Sequence, residues 1–215
     1  MNSRGKLIVF EGVEGSGKTT QIELCSSWLQ SLDISVVVTR EPGGTDLGVQ
    51  LRQLLLEAGN SIADKTELLL YAADRSQHVH HYLMPNLAKG AIILCDRYTD
   101  STIAYQGWGR QMNIETIEQL NLLATDGLQS DLTILLDIDP EISLQRILQK
   151  RKLDRIEQAD LAFHHRIRQG YLSLAKKSPE KICVINGNQN IEQVASEIQQ
   201  ILISLLKISP TKVKS

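Results

Sequence analysis

The sequence has little of what would mark a secreted, membrane-spanning or nucleic-acid-binding chain. Its 215 residues hold only three cysteines, Cys25, Cys95 and Cys183, far apart and without C-x-x-C spacing. That argues against a disulfide framework. With Cys95 and Cys183 inside apolar runs, it points to buried reduced thiols and a reducing cytoplasm. No apolar run approaches the roughly 20 residues that cross a membrane. The opening MNSRGKLIVFEG has an apolar run too short for a signal peptide. Excess charge is missing as well. With 23 Lys+Arg against 25 Asp+Glu the net charge is −2, which gives no general attraction for a nucleic acid. Internal repeats, low-complexity tracts and linkers are absent too, so one domain with a sizeable core is expected.

What is present is alternation. Short apolar runs at 7–10, 35–39, 91–95, 132–138 and 181–185 are nearly continuous, as in strands buried on both faces of a parallel sheet. Amphipathic helical patterns at about 18–31, 47–58, 65–88, 114–126, 140–151, 157–177 and 190–207 lie between them. This predicts a doubly wound α/β fold, a five-stranded parallel sheet flanked by helices. One domain is expected over 1–207, with 208–215 as a frayed basic tail.

The stretch FEGVEGSGKTTQ carries the chemistry. Gly12, Val13, Glu14, Gly15, Ser16, Gly17, Lys18 and Thr19 match G-x-x-x-x-G-K-T, and Thr20 follows. A buried strand precedes the motif and an amphipathic helix follows it, the setting of a P-loop NTPase fold. The glycines let the backbone curl so that successive amides face phosphate oxygens, and the helix start adds its partial positive charge. Lys18 suits the β- and γ-phosphates, and the Thr19 hydroxyl suits Mg²⁺. Glu14, a carboxylate beside a polyanion site, needs a separate reason. An N-K-x-D guanine signal is missing, and so are the elements of a motor, which leaves a kinase for a small phosphate acceptor.

Candidate acceptor residues sit at strand ends. Asp96 follows the third run, where a carboxylate can hold Mg²⁺ through water, and Arg97 beside it offers a fork of donors for phosphate. An Asp–Arg ion pair with a purely structural role reads equally well. Arg40 ends the second run, ahead of Pro42 and two glycines in a tight turn. Arg75 lies four residues after Tyr71 on one helix face, as a base-binding pair or as core tyrosine and surface arginine.

Taken together, EGVEGSGKTT, TREPGGT, YAADR, DRYTDSTIAYQG, SDLTILLD and LDRIEQ resemble the thymidylate kinase family over nearly the whole chain. The resemblance implies transfer of a phosphoryl group from Mg·ATP to dTMP. It implies that Glu14 reaches the 3′-hydroxyl of the sugar, that Arg97 with Arg40 holds the monophosphate, and that Asp96 organises Mg²⁺. Tyr71 would stack on thymine, Arg75 would bond a ring carbonyl, Thr102 would face the base edge, and Tyr105 would lie against the deoxyribose. A lid over about 146–157 packs Arg146, Lys150, Arg151, Lys152 and Arg155 together. Where some relatives place an arginine inside the phosphate loop, this chain has Gly15–Ser16, so Arg151 and Arg155 are expected to supply that charge. A homodimer using the helix at 65–88 is likewise implied. Trp108 stands where bacterial relatives often have a small residue, packing the lid or covering the loop. The histidines at 78, 80 and 81 are read as helix-surface groups, and Asp137 and Asp139 as the start of a helix. A different monophosphate kinase and an ATP-binding regulatory protein are the rival readings.

Overall fold

Strand β1 (Lys6–Glu11) is apolar on both faces, and the fold uses both. A computed structural model describes residues 4–57, 59, 61–149 and 151–209. In it β1 is the centre of a five-stranded sheet ordered β2-β3-β1-β4-β5. The other strands are β2 (Val36–Arg40), β3 (Ile92–Asp96), β4 (Leu132–Asp137) and β5 (Ile182–Asn186). All paired strands run parallel, with Phe10 opposite both Asp96 and Ile134.

Ile8 and Phe10 face α1 (Lys18–Ser31) and α9 (Ile191–Leu206), where they meet Ile22, Leu29, Ile198 and Leu202. Leu7, Val9, Ile93 and Cys95 face the opposite way, onto Val79, Leu83 and Leu87. Each such burial contributes about 1.5–3 kcal/mol relative to exposure. The helix predicted over 65–88 is continuous: α3 (Asp64–His78), a wider π-helical stretch (Val79–Leu83) and α4 (Met84–Ala88). The remaining helices are α2 (Asp46–Leu56), α5 (Thr99–Thr102), α6 (Ile114–Thr125), α7 (Pro140–Leu148) and α8 (Leu161–Lys177).

Three departures from the sequence reading matter. First, α5 runs on as a π-helical segment, Ile103–Gly109, in a stretch where no helix was predicted. Its β-branched residues and paired glycines carry no clear 3.6-residue period, but contact with α8 holds it. A Cβ on Gly109 would lie 2.7 Å from the Phe163 ring, and one on Gly170 would lie 2.7 Å from Trp108, so Trp108 packs on α8 rather than on the lid. Second, α7 ends at Leu148, short of the expected 151, and α8 starts at Leu161 instead of 157. Between them Asp154 accepts from the amides of Ile156 and Glu157, and Asp160 accepts from the Phe163 amide. Such side-chain turns compete with helix, so the lid is longer and less regular than expected. Third, Cys183 is only partly buried, whereas Cys25 and Cys95 are buried; all three thiols are free. Burial pushes the Cys25 thiol up to about 12. Lys150 and the tail from residue 210 on lie outside the described residues.

Asp139 caps α7 by accepting from the Glu141 amide, as the helix-start reading expects, whereas Asp137 departs from it and ends β4 paired with Arg168. His78 is buried and bonded to Glu41 and Thr39, while His80 bonds Asp126 on the surface, so these two imidazoles serve separate partners.

Candidate active site

The chain leaves β1 at Glu11 and turns through Gly12, Gly15 and Gly17, with φ of 137°, 72° and 99°. The turns are tight because neighbouring backbone presses on them. A Cβ on Gly12 would come within 2.5 Å of the Leu136 carbonyl, and one on Gly15 within 2.7 Å of the Ser143 carbonyl. Lys18 opens α1 and folds back, donating from Nζ to the carbonyls of Gly12 (2.9 Å) and Val13 (3.0 Å). Burial, with Arg97 nearby, lowers its pKa to about 8. Thr19 and Thr20 stand exposed on the cleft wall beside Gly15, Ser16 and Gly17. Gly12 and Val13 lie behind that wall, holding Lys18 rather than lining the cleft.

Arg97 follows β3 with φ of 74°, a left-handed backbone that a non-glycine residue keeps only where its surroundings over-determine it. The surroundings are dense. Nη1 donates to Ser101 Oγ (3.1 Å) and Tyr171 OH (2.9 Å), and Nη2 donates to Glu14 Oε1 (2.7 Å) and Tyr105 OH (3.0 Å). The Tyr105 hydroxyl also donates to Glu14 Oε2 at 2.5 Å. Glu14 therefore turns its carboxylate away from the loop amides and toward Arg97. Burial opposes its ionisation, yet Arg97 and Lys18 hold its pKa below the usual carboxylate range.

Behind Arg97 lies Glu11, which sequence reasoning missed. It is fully buried and accepts from the Tyr98 amide (2.9 Å), the Ser101 amide (3.1 Å), Ser101 Oγ (2.6 Å) and Tyr171 OH (2.8 Å). Burial raises its pKa. Nothing local distinguishes Glu11 from a polar residue closing a strand; its partners come from α5 and α8.

At the far end of the cleft Arg75 is 2% exposed. It donates to Glu41 (2.8 Å), Thr102 Oγ1 (2.8 Å), Asn121 Oδ1 (2.7 Å) and the Tyr98 carbonyl (2.9 Å). A guanidinium has five N–H groups, so among the described residues one Nη2 hydrogen remains for the cleft. Tyr71, Thr102 and Tyr105 line the same end. Arg40 and Pro42 line the flank, joined by Arg52, a cation from α2 that its sequence neighbourhood does not set apart. Arg52 donates to the Pro42 carbonyl at 3.0 Å.

The lid divides its cations. Arg151 lines the cleft and forms a two-pronged pair with Glu157 (2.7 and 2.6 Å). Arg155 turns away: it donates to the Leu55 carbonyl (2.7 Å) and pairs closely with Glu67, so its guanidinium is not on the cleft wall. Of the residues singled out for metal, Asp96 keeps a buried Oδ1 with no hydrogen-bond partner among the described residues. Beside the exposed Thr19 hydroxyl, that orphan oxygen fits a hydrated Mg²⁺ carried in with a nucleotide.

The whole forms one cleft of about 780 Å³, lined by the glycine-rich loop and by Arg40, Arg75 and Arg97. Comparison with known proteins agrees with that plan. The family model described as thymidylate kinase matches residues 10–198. A thymidylate kinase of Nostoc punctiforme is 61% identical over 212 residues, covering 96% of this chain and 99% of that protein. One from Geobacter sulfurreducens is 46% identical, covering 93% and 97%. The crystal structure of thymidylate kinase from Ehrlichia chaffeensis superposes with a TM-score of 0.78 at 35% identity, covering 93% of this chain and 99% of that one. With sheet order, loop motif and near-complete sequence coverage all in agreement, the chain belongs to the thymidylate kinase family.

Proposed function

We infer that the chain transfers the γ-phosphoryl group of ATP to dTMP, giving dTDP for deoxynucleotide synthesis. The observation that carries this is the 2.7 Å bond between Glu14 of the phosphate loop and Arg97 of the second anion site. Donor and acceptor ends share a wall, so two bound phosphates would face each other across it. Positioning of that kind is the main source of rate in phosphoryl transfer.

The loop from Glu14 through Gly15, Ser16 and Gly17 to Lys18, Thr19 and Thr20 cradles the ATP phosphates, and Gly12 and Val13, expected to share in this, hold Lys18 from behind. Lys18 supplies the charge at the β- and γ-phosphates. Arg97, with Arg40 on the flank, holds the monophosphate, and Pro42 shapes that flank. Tyr71 stacks on the base, while Arg75 reads a ring carbonyl with its remaining N–H. Thr102 orients Arg75, and Tyr105 lies against the deoxyribose with Glu14 at the 3′-hydroxyl. Thr19 and Asp96 would hold Mg²⁺, which when bound neutralises charge shared between the phosphates. The attacking phosphate oxygen is already ionised at neutral pH, so no general base is needed. Arg151 brings lid charge to the moving group from the cleft wall, while Arg155, expected to do the same, is held at Glu67 and the Leu55 carbonyl away from that wall.

The unit that does this is residues 1–207, with the lid between the end of α7 at Leu148 and the start of α8 at Leu161. We place it in the cytoplasm as a homodimer. Leu69 on α3 and Leu122 and Leu123 on α6, each more than half exposed, support that contact. Among the described residues no helix is long and apolar enough to cross a membrane. The test is a coupled assay with ATP and each nucleoside monophosphate in turn. Turnover strictly dependent on dTMP is expected; equal turnover with other monophosphates, or ATP consumption indifferent to acceptor, overturns the reading.

A further inference from the structure

Glu67 has no part in the chemistry above, yet it is fully buried at the first turn of α3. Its partners come from two other parts of the chain. Oε1 accepts from Gln106 Nε2 (2.9 Å) and Arg110 Nε (3.3 Å), and Oε2 accepts from Arg110 Nη2 (3.2 Å) and from Arg155. Arg155 belongs to the lid and is fixed at its other edge by the Leu55 carbonyl, while its own amide donates to the Leu56 carbonyl at 3.3 Å. Gln106 lines the cleft from the π-helical segment. The Arg110 guanidinium lies 4.8 Å over the Phe163 ring, in the first turn of the helix that follows the lid. Tyr71, on the cleft wall, is one helical turn on from Glu67.

We propose that Glu67 is a positioning residue that latches the lid: one buried carboxylate fixes Arg155 of the lid and, through Gln106 and Arg110, the segment that walls the acceptor end. Arg155 has little water to turn to, so loss of the carboxylate leaves its buried charge uncompensated, whereas the part-exposed Arg110 keeps Asp64 at 3.5 Å. Loss of Arg155 frees only the lid and leaves Glu67 with Gln106 and Arg110. A lid set by the same group as the acceptor wall keeps water from the transferring phosphoryl group only while that wall is in place. This last consequence rests on the phosphoryl-transfer reading, whereas the latch itself does not.

The test uses the full chain with Glu67→Gln, Arg155→Met and both together. In the ligand-free protein, hydrogen exchange of lid amides at 151–160 should quicken about tenfold in each single variant, with β1, β3 and β4 keeping their protection. The double variant should exchange no faster than the faster single one. In the assay, ADP released per dTDP formed should rise several-fold. Wild-type lid exchange in Arg155→Met, or losses that add in the double variant, overturns the latch. If Glu67→Gln loosens the strands as well, Arg155→Met decides, because it leaves the buried carboxylate its other partners. A wild-type chain that makes no dTDP overturns the functional reading and leaves the exchange result standing.

Discussion

Gly15 offers a sharp test of the proposal that the lid, through Arg151, supplies the cation of the transfer site. An arginine placed there would meet two obstacles visible in the structure. The backbone has φ of 72°, a left-handed conformation that costs a side-chain-bearing residue about 1–2 kcal/mol. The new Cβ would also sit 2.7 Å from the Ser143 carbonyl and 3.0 Å from Ile147, both on α7, the stem of the lid. Forcing apart a packed contact of that kind costs about 1–3 kcal/mol more. Together these predict about 2–5 kcal/mol of destabilisation for Gly15→Arg, and for a chain of this size a drop in Tm of roughly 4–20 °C. Arg151→Ala should by itself lower kcat roughly 100-fold, as loss of one preorganised charge does. The double variant Gly15→Arg/Arg151→Ala should then be no faster than Arg151→Ala, because the arginine that enters the loop displaces α7. Calorimetric melting and the coupled dTMP assay measure both effects. A double variant within about threefold of wild-type turnover, melting within about 2 °C of it, refutes the argument.

Tyr105→Phe removes a hydroxyl bonded to Glu14 and Arg97, and bonds to charged groups are worth about 1.5–3 kcal/mol. The value of kcat/KM for dTMP should therefore fall about 10- to 100-fold, and an unchanged value would show that the arginine holds its place without that cage. Asp96→Asn should raise the Mg²⁺ concentration needed for half-maximal rate about tenfold while leaving Tm alone; unaltered Mg²⁺ titration removes Asp96 from the metal's surroundings. Asp100, raised by burial and by Glu11 to about 7 from 3.8, binds a proton in the folded state that it releases when unfolded across that range. The stability it contributes is full below pH 4 and is lost as pH rises through about 7, so Asp100→Asn should raise Tm at pH 8 and not at pH 4. Equal shifts at both pH values would contradict that assignment.

The frame of the molecule was legible because its signals are local. LIVF and AIILC have to be covered on both faces, and only a central parallel sheet does that. Gly12, Gly15 and Gly17 announce the loop by spacing, and Arg40 and Arg97 stand at the strand ends where such sheets gather ligands. What stayed hidden depends on distant partners. Glu11 reads as the polar end of a strand until Tyr171, 160 residues away, donates to it. Arg155 reads as one more lid cation until Glu67, 88 residues away, takes it out of the cleft. The helical stretch from Thr99 to Gly109 owes its shape to α8 and so left no period of its own.

The long helix through residues 64–88 has a consequence for how this enzyme family can vary. Glu67, Tyr71, Asp74, Arg75 and His78 recur along it at helical spacing, so the acceptor wall is written in a single reading frame. One residue inserted between Leu68 and Tyr71 would rotate everything after it by roughly 100° and advance it by about 1.5 Å. Arg75 would leave the cleft and part from Glu41, Thr102 and Asn121, which stay behind on other elements, while the glycine loop after β1 would keep its shape. Substitutions can tune this wall residue by residue, but a change in length erases it all at once.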